Sequence, residues 1–236
     1  MPLNLDLPTV LHFNSLIPQS PLAAKILSFP VSNELLRNVP FFLSLVTLWF
    51  VKDRPEQRAK MLSGLLGVSL ATAISVVIQA HVWIHLHPSI DPTIVLRGHG
   101  TDLLQEKFDR INSFPSDTAT FYFGLSTVVF LQSRRAGLLL YAWSLCTAGF
   151  LRIALGWHYP SDVLAGIFLG TLTVVLVSRI RIPDAVFERI LNRMDGRIYI
   201  VHACLFLYLA DAYSFFPGLQ GIMRGIGMFS RAAFKH

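Results

Sequence analysis

The chain has 236 residues, 53% of them hydrophobic and 14% charged, with a net charge of +6 and a mean hydropathy of +0.53. Soluble domains carry about 25% charged residues. Here the apolar residues fall in long blocks, which excludes a soluble globular domain and indicates a membrane protein. The Lys and Arg residues sit in short runs between those blocks and form no single stripe. That argues against a nucleic-acid surface and for loops facing anionic lipid.

The first twenty residues lack a basic start and contain Asp6 and three prolines, so no cleavable signal is expected. Residues 8–30 mix Leu11, Phe13, Leu16, Ile26 and Phe29 with Asn14, Pro18, Gln19 and Lys25. This pattern is too broken to span a bilayer and predicts an interfacial helix lying along the membrane surface. Six apolar stretches follow, at 34–51, 61–84, 115–132, 136–155, 162–180 and 198–216. Each is close to the roughly 20 residues that a bilayer core requires. The expected fold is therefore all-α: a polytopic membrane bundle of six transmembrane helices plus the N-terminal interfacial helix. In domain terms this gives an N-terminal segment at 1–33, a membrane domain at 34–216 and a tail at 217–236.

Cys146 and Cys204 lie inside apolar blocks without CxxC spacing and read as small buried hydrophobes. The aromatics near span ends, Trp83, Trp157 and Tyr159, read as interfacial residues. His202 and Asp211, both in the last stretch, are a possible pair within the bundle.

The loops set an orientation. Lys52, Arg54, Arg58 and Lys60 lie between the first two stretches, Arg134 and Arg135 between the third and fourth, and five arginines between the fifth and sixth. The positive-inside rule makes these loops cytoplasmic. The 30-residue connection at 85–114 and the short turn at 156–161 are then extracytoplasmic.

Two motifs occupy that outer side. The first is Phe114-Pro115-Ser116-Asp117-Thr118-Ala119, which opens the third stretch. A proline with Ser and Asp at a helix start is an ordinary cap. The free N–H groups there, with the Ser116 hydroxyl, also make a ready anion site. The second motif runs from Arg152 through His158-Tyr159-Pro160-Ser161-Asp162 to Gly166. His158 and Asp162 are four residues apart and share a helix face. A carboxylate on one ring nitrogen fixes the tautomer and raises the basicity of the other, which suits a nucleophile. An Arg near the end of a span is costly and functional by default, and a guanidinium grips phosphate oxygens with two hydrogen bonds.

The stretch from Arg152 to Gly166 resembles the third signature of the type 2 phosphatidic-acid phosphatase (PAP2) superfamily, with Leu151 standing where that signature begins with Ser. Phe114 to Ala119 resembles its second signature. The resemblance implies a six-helix bundle with a metal-free site near the outer membrane surface. It implies hydrolysis or transfer of a lipid-linked phosphate through a phosphohistidine, with no cofactor. By position, His158 would be the nucleophile, Asp162 its orienter and Arg152 a phosphate clamp. Ser116 and the N–H of Asp117 would complete the phosphate cradle.

Two signatures depart from the family pattern. Thr118 stands where the family places the His that protonates the leaving group, and a threonine is no general acid near neutral pH. The first signature, normally Lys followed seven residues later by Arg-Pro, is met only by His85-Leu86-His87-Pro88, with Ala80 at the lysine position. Imidazoles are only partly charged at neutral pH, so these substrate-binding candidates hold phosphate more weakly. Arg97, Lys107 and Arg110 are candidates to compensate, or else belong to a solvated loop. The His85/His87 pair has no evident third metal ligand nearby.

The function implied is a membrane lipid phosphatase of a bacterial inner (plasma) membrane, acting on the extracytoplasmic side. Because a phosphate leaving group needs less proton assistance than an alkoxide, a polyprenyl diphosphate is favoured over a monophosphate. A phospho- or head-group transferase, or a catalytically impaired lipid-phosphate-binding protein, are the alternatives. The partners expected are the lipid substrate and membrane lipids, with no nucleic acid and the oligomeric state open.

Overall fold

The computed structural model describes residues 5–17, 20–51, 54–97 and 112–213. Ten α-helices build it: α1 Asp6–Ser15, α2 Pro21–Ser32, α3 Glu34–Val51, α4 Pro55–His81, α5 Asp117–Gln132, α6 Arg134–Ser144, α7 Leu151–Ala154, α8 Pro160–Arg179, α9 Arg181–Arg193 and α10 Ile198–Tyr213. Among the described residues there is no strand, only an isolated antiparallel bridge between Leu86 and Asn112.

The helix at the centre is α5. Its residues from Thr118 to Val129 are buried on every side, as expected of a helix that is apolar all round. It packs on α4, α6 and α8. The main core joins Phe41, Leu45 and Trp49 of α3 to Val68 of α4, Phe121 and Leu125 of α5, and Val174 of α8. The outward faces remain apolar, with Leu139, Leu164, Phe168 and Phe206 each more than half exposed. Exposed apolar side chains along long apolar helices are the surface that lipid covers.

Helices occupy all six predicted stretches. By length and composition, however, three are long and apolar enough to cross a membrane: Pro55–His81, Arg134–Ala154 and Pro160–Arg179. A fourth is reached if the segments Lys25–Ser32 and Leu35–Val51, bent by 40°, count as one span. Central α5 is 16 residues long, and apolar Ile198–Ala212 is also short. The last stretch runs beyond Tyr213, outside the described residues, as does the tail at 217–236.

The single interfacial helix expected over 8–30 is instead two helices, α1 and α2, with Leu16 and Ile17 ending the first. The cause is local: Pro21 starts α2, where a missing N–H is harmless. Helix α1 packs on α7 and α8. Its Asp6 is buried and accepts hydrogen bonds from the Ser161 N–H (3.1 Å) and Oγ (2.7 Å) in the first turn of α8. A carboxylate there satisfies orphan donors and complements the helix dipole. Replacing Asp6 with Ala is expected to cost about 1–2 kcal/mol, read as a drop of a few degrees in the thermal midpoint of the detergent-solubilised protein.

Residues 134–154 form one 21-residue helix with a π-helical stretch at Leu145–Phe150 between α6 and α7. Such widened turns often lie beside functional sites. Cys146 and Cys204 are exposed, against the expectation of burial, because both sit on outward faces of apolar helices. The His202 ring lies edge-on to Trp49 and Phe50, with centroids 6.1 and 5.3 Å away.

Candidate functional site

The two sequence motifs meet at one end of the bundle, where α4 and α7 finish and α5 and α8 begin. The chain leaving α4 is tied to the chain entering α5. Asn112 Nδ2 donates to the carbonyls of Val82 (2.7 Å) and Gln79 (3.1 Å), and Gln79 Nε2 donates to the Pro115 carbonyl (2.6 Å). The Ser113 N–H donates to the His85 carbonyl (3.1 Å). Between α7 and α8 the chain turns at Gly156, whose φ of +72° suits glycine. A Cβ there would also lie 2.1 Å from Leu96 Cδ1.

His158 follows this turn and is almost wholly buried. Its Nδ1 faces the Ser113 carbonyl at 3.2 Å and Asp162 Oδ2 at 3.6 Å. Both are acceptors, so Nδ1 carries the proton. Its Nε2 lies 3.4 Å from Arg152 Nη2, a group that only donates, so Nε2 presents its lone pair. Burial, then the nearby Arg152 guanidinium, push the His158 pKa well below its ordinary value. The ring is thus neutral at physiological pH with Nε2 available as a nucleophilic atom. Arg152, itself buried, lies with Cζ 5.1 Å from the centroid of the Trp157 ring.

Asp162 serves more than one partner. Oδ2 accepts the Tyr159 N–H at 2.9 Å, half of a capping arrangement at the start of α8. Oδ1 faces His85 Nε2 at 3.3 Å. The other nitrogen of His85 lies 2.8 Å from Ser113 Oγ. The structure thus places His85, a phosphate-binding candidate from sequence, against the Asp162 carboxylate. His87 is different again: Nδ1 donates to the Trp157 carbonyl at 2.5 Å, and its ring centroid is 4.9 Å from that of His158. Burial, then His158, lower its pKa to about 3.

Ser116 is the N-cap of α5, accepting the Ala119 N–H at 3.3 Å, and its own N–H donates to the Asp162 carbonyl at 3.0 Å. The plain cap reading of Ser116 is therefore realised, and the same residue ties α5 to α8. The Asp117 carboxylate accepts the Thr118 N–H (2.7 Å), with Thr118 Oγ1 at 3.3 Å. Asp117 is close enough to His158 to act on its titration. Arg97 lies apart: Nη1 donates to the Ser15 carbonyl and its N–H to Asn14 Oδ1, each at 2.6 Å, strapping that loop to α1. Lys107 and Arg110 lie outside the described residues.

Sequence reasoning passed over Ser113, which holds both His85 and His158, and Gln79 and Asn112, which hold the entry to α5. It also read Trp157 and Tyr159 as interfacial, whereas they are 3% and 2% exposed. Burial, with Asp91, Asp162 and Asp6 nearby, raises the Tyr159 phenol to about 12 and leaves it a poor proton donor. Trp83, at 60% exposure, fits the interfacial reading. Among the described residues no group of three or more His, Cys, Asp or Glu is arranged to hold a metal ion.

The PAP2 superfamily profile matches residues 66–183, half of the chain. Two curated relatives are BcrC proteins. Bacitracin transport permease protein BcrC of Bacillus licheniformis is 28% identical over 150 residues, covering 63% of this chain and 69% of that protein. Undecaprenyl-diphosphatase BcrC of Bacillus subtilis (strain 168) is 26% identical over 168 residues, covering 67% and 81%. No solved structure matches significantly. The matched region runs from within α4 to the first residues of α9 and contains every residue of the His158 cluster, so this all-helical membrane protein belongs to the PAP2 superfamily.

Proposed function

We propose that the protein is a lipid-diphosphate phosphatase, acting on a polyprenyl diphosphate through a phosphohistidine on His158. The observation that carries this reading is the His158 ring itself. Acceptors hold its Nδ1–H, and its Nε2 lone pair points to a buried guanidinium. Arg152 attracts phosphate oxygens to the atom that attacks phosphorus, and the neutral ring meets the substrate already deprotonated at Nε2. In the first step the Nε2–P bond forms and the bond from phosphorus to the bridging oxygen breaks. Water then attacks phosphorus, the P–N bond breaks, and inorganic phosphate leaves.

A diphosphate is favoured because its leaving group is a phosphate, which departs with little proton assistance, and Thr118 offers none. A B. subtilis relative bears the name undecaprenyl-diphosphatase, which supports the same substrate class. The bilayer is the bacterial inner membrane, spanned six times by α3, α4, α5, the 134–154 helix, α8 and α10. The site faces outward, because Arg54, Arg58, Arg134, Arg135, Arg179 and Arg181 mark the opposite helix ends.

Phosphate release by the purified protein from farnesyl diphosphate is expected to exceed that from phosphatidic acid by at least about tenfold, since one general acid contributes about 10²–10⁴-fold. Equal rates on the two lipids would sink the diphosphate reading.

A further inference from the structure

We propose that a groove between α4, α9 and α10, remote from His158, is a binding site for an anionic glycerophospholipid. One acyl chain lies in the groove, and the headgroup phosphate meets the arginines beside it, Arg189, Arg193 and Arg197. This goes beyond the phosphatase reading and does not depend on it.

The sequence of α9 sets the arrangement. Phe187, Ile190 and Met194 recur at helical spacing, share a face and line the groove. Arg189 and Arg193, four apart, occupy a neighbouring face and are exposed. Ile182 and Val186, 72% and 46% exposed, continue that outer face. A helix that turns both apolar and basic side chains outward is built to lie at a membrane surface, with the arginine stems in the apolar layer and the heads at the phosphates. A short 3₁₀ turn, Asp195–Arg197, links α9 to α10 and adds the exposed Arg197. Helix α9 packs on α4 and α10 packs on α3, which leaves a gap between α4 and α10.

That gap is a cavity of about 490 Å³, inside the range of about 300–1,000 Å³ typical of small-molecule sites. Its walls include Leu65 and Leu66 of α4, Ile190 and Met194, and Cys204 and Leu205 of α10. The Ser69 and Tyr208 hydroxyls lie 3.1 Å from each other, and each lies 3.1 Å from the Leu65 carbonyl oxygen. They satisfy one another at the wall and leave an apolar lining. The mouth is open: Leu66 is 47% and Ile190 43% exposed, and Cys204 is exposed. An open apolar cleft among membrane helices is filled by hydrocarbon, not by water.

Charge decides which lipid. Leu65 and Leu66 lie about 23 Å along α4 from His81, where the His158 site is built. The groove is therefore at the basic end of the bundle, the end of Arg54 and Arg58. From 188 to 197 the chain carries three arginines against Glu188 and Asp195. Asp184 lines a separate recess with Lys60, Gln132 and Ser178. Basic side chains beside a cleft between helices recruit anionic headgroups. A second copy of the chain docked here about a two-fold axis would bring like charges together, whereas a lipid phosphate neutralises them. The groove residues named, other than Leu66 and Ser69, lie outside the 66–183 match, so this site is not part of the region that defines the family resemblance.

The test is native mass spectrometry of delipidated, detergent-solubilised full-length protein titrated with phosphatidylglycerol or phosphatidylcholine of identical chains. The wild type is expected to retain one phosphatidylglycerol at least about tenfold more tightly than phosphatidylcholine, since each arginine near the phosphate contributes about fivefold. The double variant Arg193→Gln/Arg197→Gln should lose that preference and bind phosphatidylcholine as before. Cys204→Trp, which places an indole in the groove, should weaken both lipids about tenfold. Equal affinity of the wild type for the two lipids would overturn the proposal, as would an undiminished preference in the arginine variant. Lipid retention unchanged in Cys204→Trp would move the chain out of the groove and overturn it too. A dimer that Cys204→Trp dissociates would assign the groove to a second copy instead. The thermal midpoint without added lipid reports folding. The arginine changes are at exposed positions and should leave it unaltered, so that arm decides the matter even where Cys204→Trp is destabilised.

Discussion

Alanine at position 158 is expected to abolish phosphate release, with a loss of at least about 10³-fold, equivalent to about 4 kcal/mol of transition-state stabilisation. The size of the effect follows from what the ring does. In the proposed mechanism Nε2 is the atom that bonds to phosphorus, and no neighbouring side chain can take its place. His85 lies against Asp162 at 3.3 Å with its other nitrogen on Ser113, and His87 is turned by its bond to Trp157. The measurement is phosphate release from farnesyl diphosphate by wild-type and His158→Ala protein. Rapid quenching with labelled substrate should capture an acid-labile phosphoprotein in the wild type and none in the variant. Its low pKa adds a pH expectation. A histidine whose folded pKa is depressed stays neutral below the usual imidazole range of about 6.5. Activity should therefore not collapse through pH 6.5 on account of this residue. Turnover by His158→Ala within tenfold of wild type would refute the assignment.

The second large effect is structural. Gly170 lies where α8 crosses α5, and a Cβ there would sit 2.1 Å from the Thr120 carbonyl oxygen. One turn earlier, a Cβ on Gly166 would sit 2.5 Å from the Ser116 carbonyl oxygen. Two glycines four apart let the helix backbones touch, as in close-packed membrane helix pairs. The obstructing atoms are backbone, so no rotamer change relieves the clash. Gly170→Ala is expected to cost about 3 kcal/mol, a fall of roughly 6–12 °C in the thermal midpoint. Gly196→Ala is the control: its added Cβ meets nothing within 4 Å, and it should shift stability by less than about 0.5 kcal/mol. Gly170→Ala should also lower activity, because the α5–α8 contact carries the Ser116 N–H to Asp162 carbonyl bond. A Gly170→Ala protein as stable as the Gly196→Ala control would show that the two helices are not in backbone contact.

Much of this site could be read from spacing alone. His158 and Asp162 are four apart on one helix start, and Arg152 precedes them at the end of another helix, so one short turn brings all three together. Ser116 announces itself as a cap. The reach of Asp162 to His85, 77 positions earlier, could not be read in this way. It depends on how the chain leaving α4 folds over the start of α5, and that is fixed by Asn112 and Gln79 acting on backbone carbonyls. Such bonds leave no periodic trace in a sequence. The place of Arg97 was hidden for the same reason. A cation in a long outer loop fits a phosphate site by composition, yet its hydrogen bonds go to the end of α1. The burial of Trp157 was hidden because an aromatic beside a span end has the same local pattern whether it meets lipid or a guanidinium.

The π-helical stretch at Leu145–Phe150 has a consequence for Arg152, which follows it directly. A turn closed by i→i+5 bonds holds one residue more than an α turn, and each residue of an α-helix advances the azimuth by about 100°. The guanidinium's aim is thus a question of phase: a regular ladder between Ser144 and Leu151 would swing Arg152 a quarter-turn or more around the helix axis, off the imidazole and toward a neighbouring helix or the lipid.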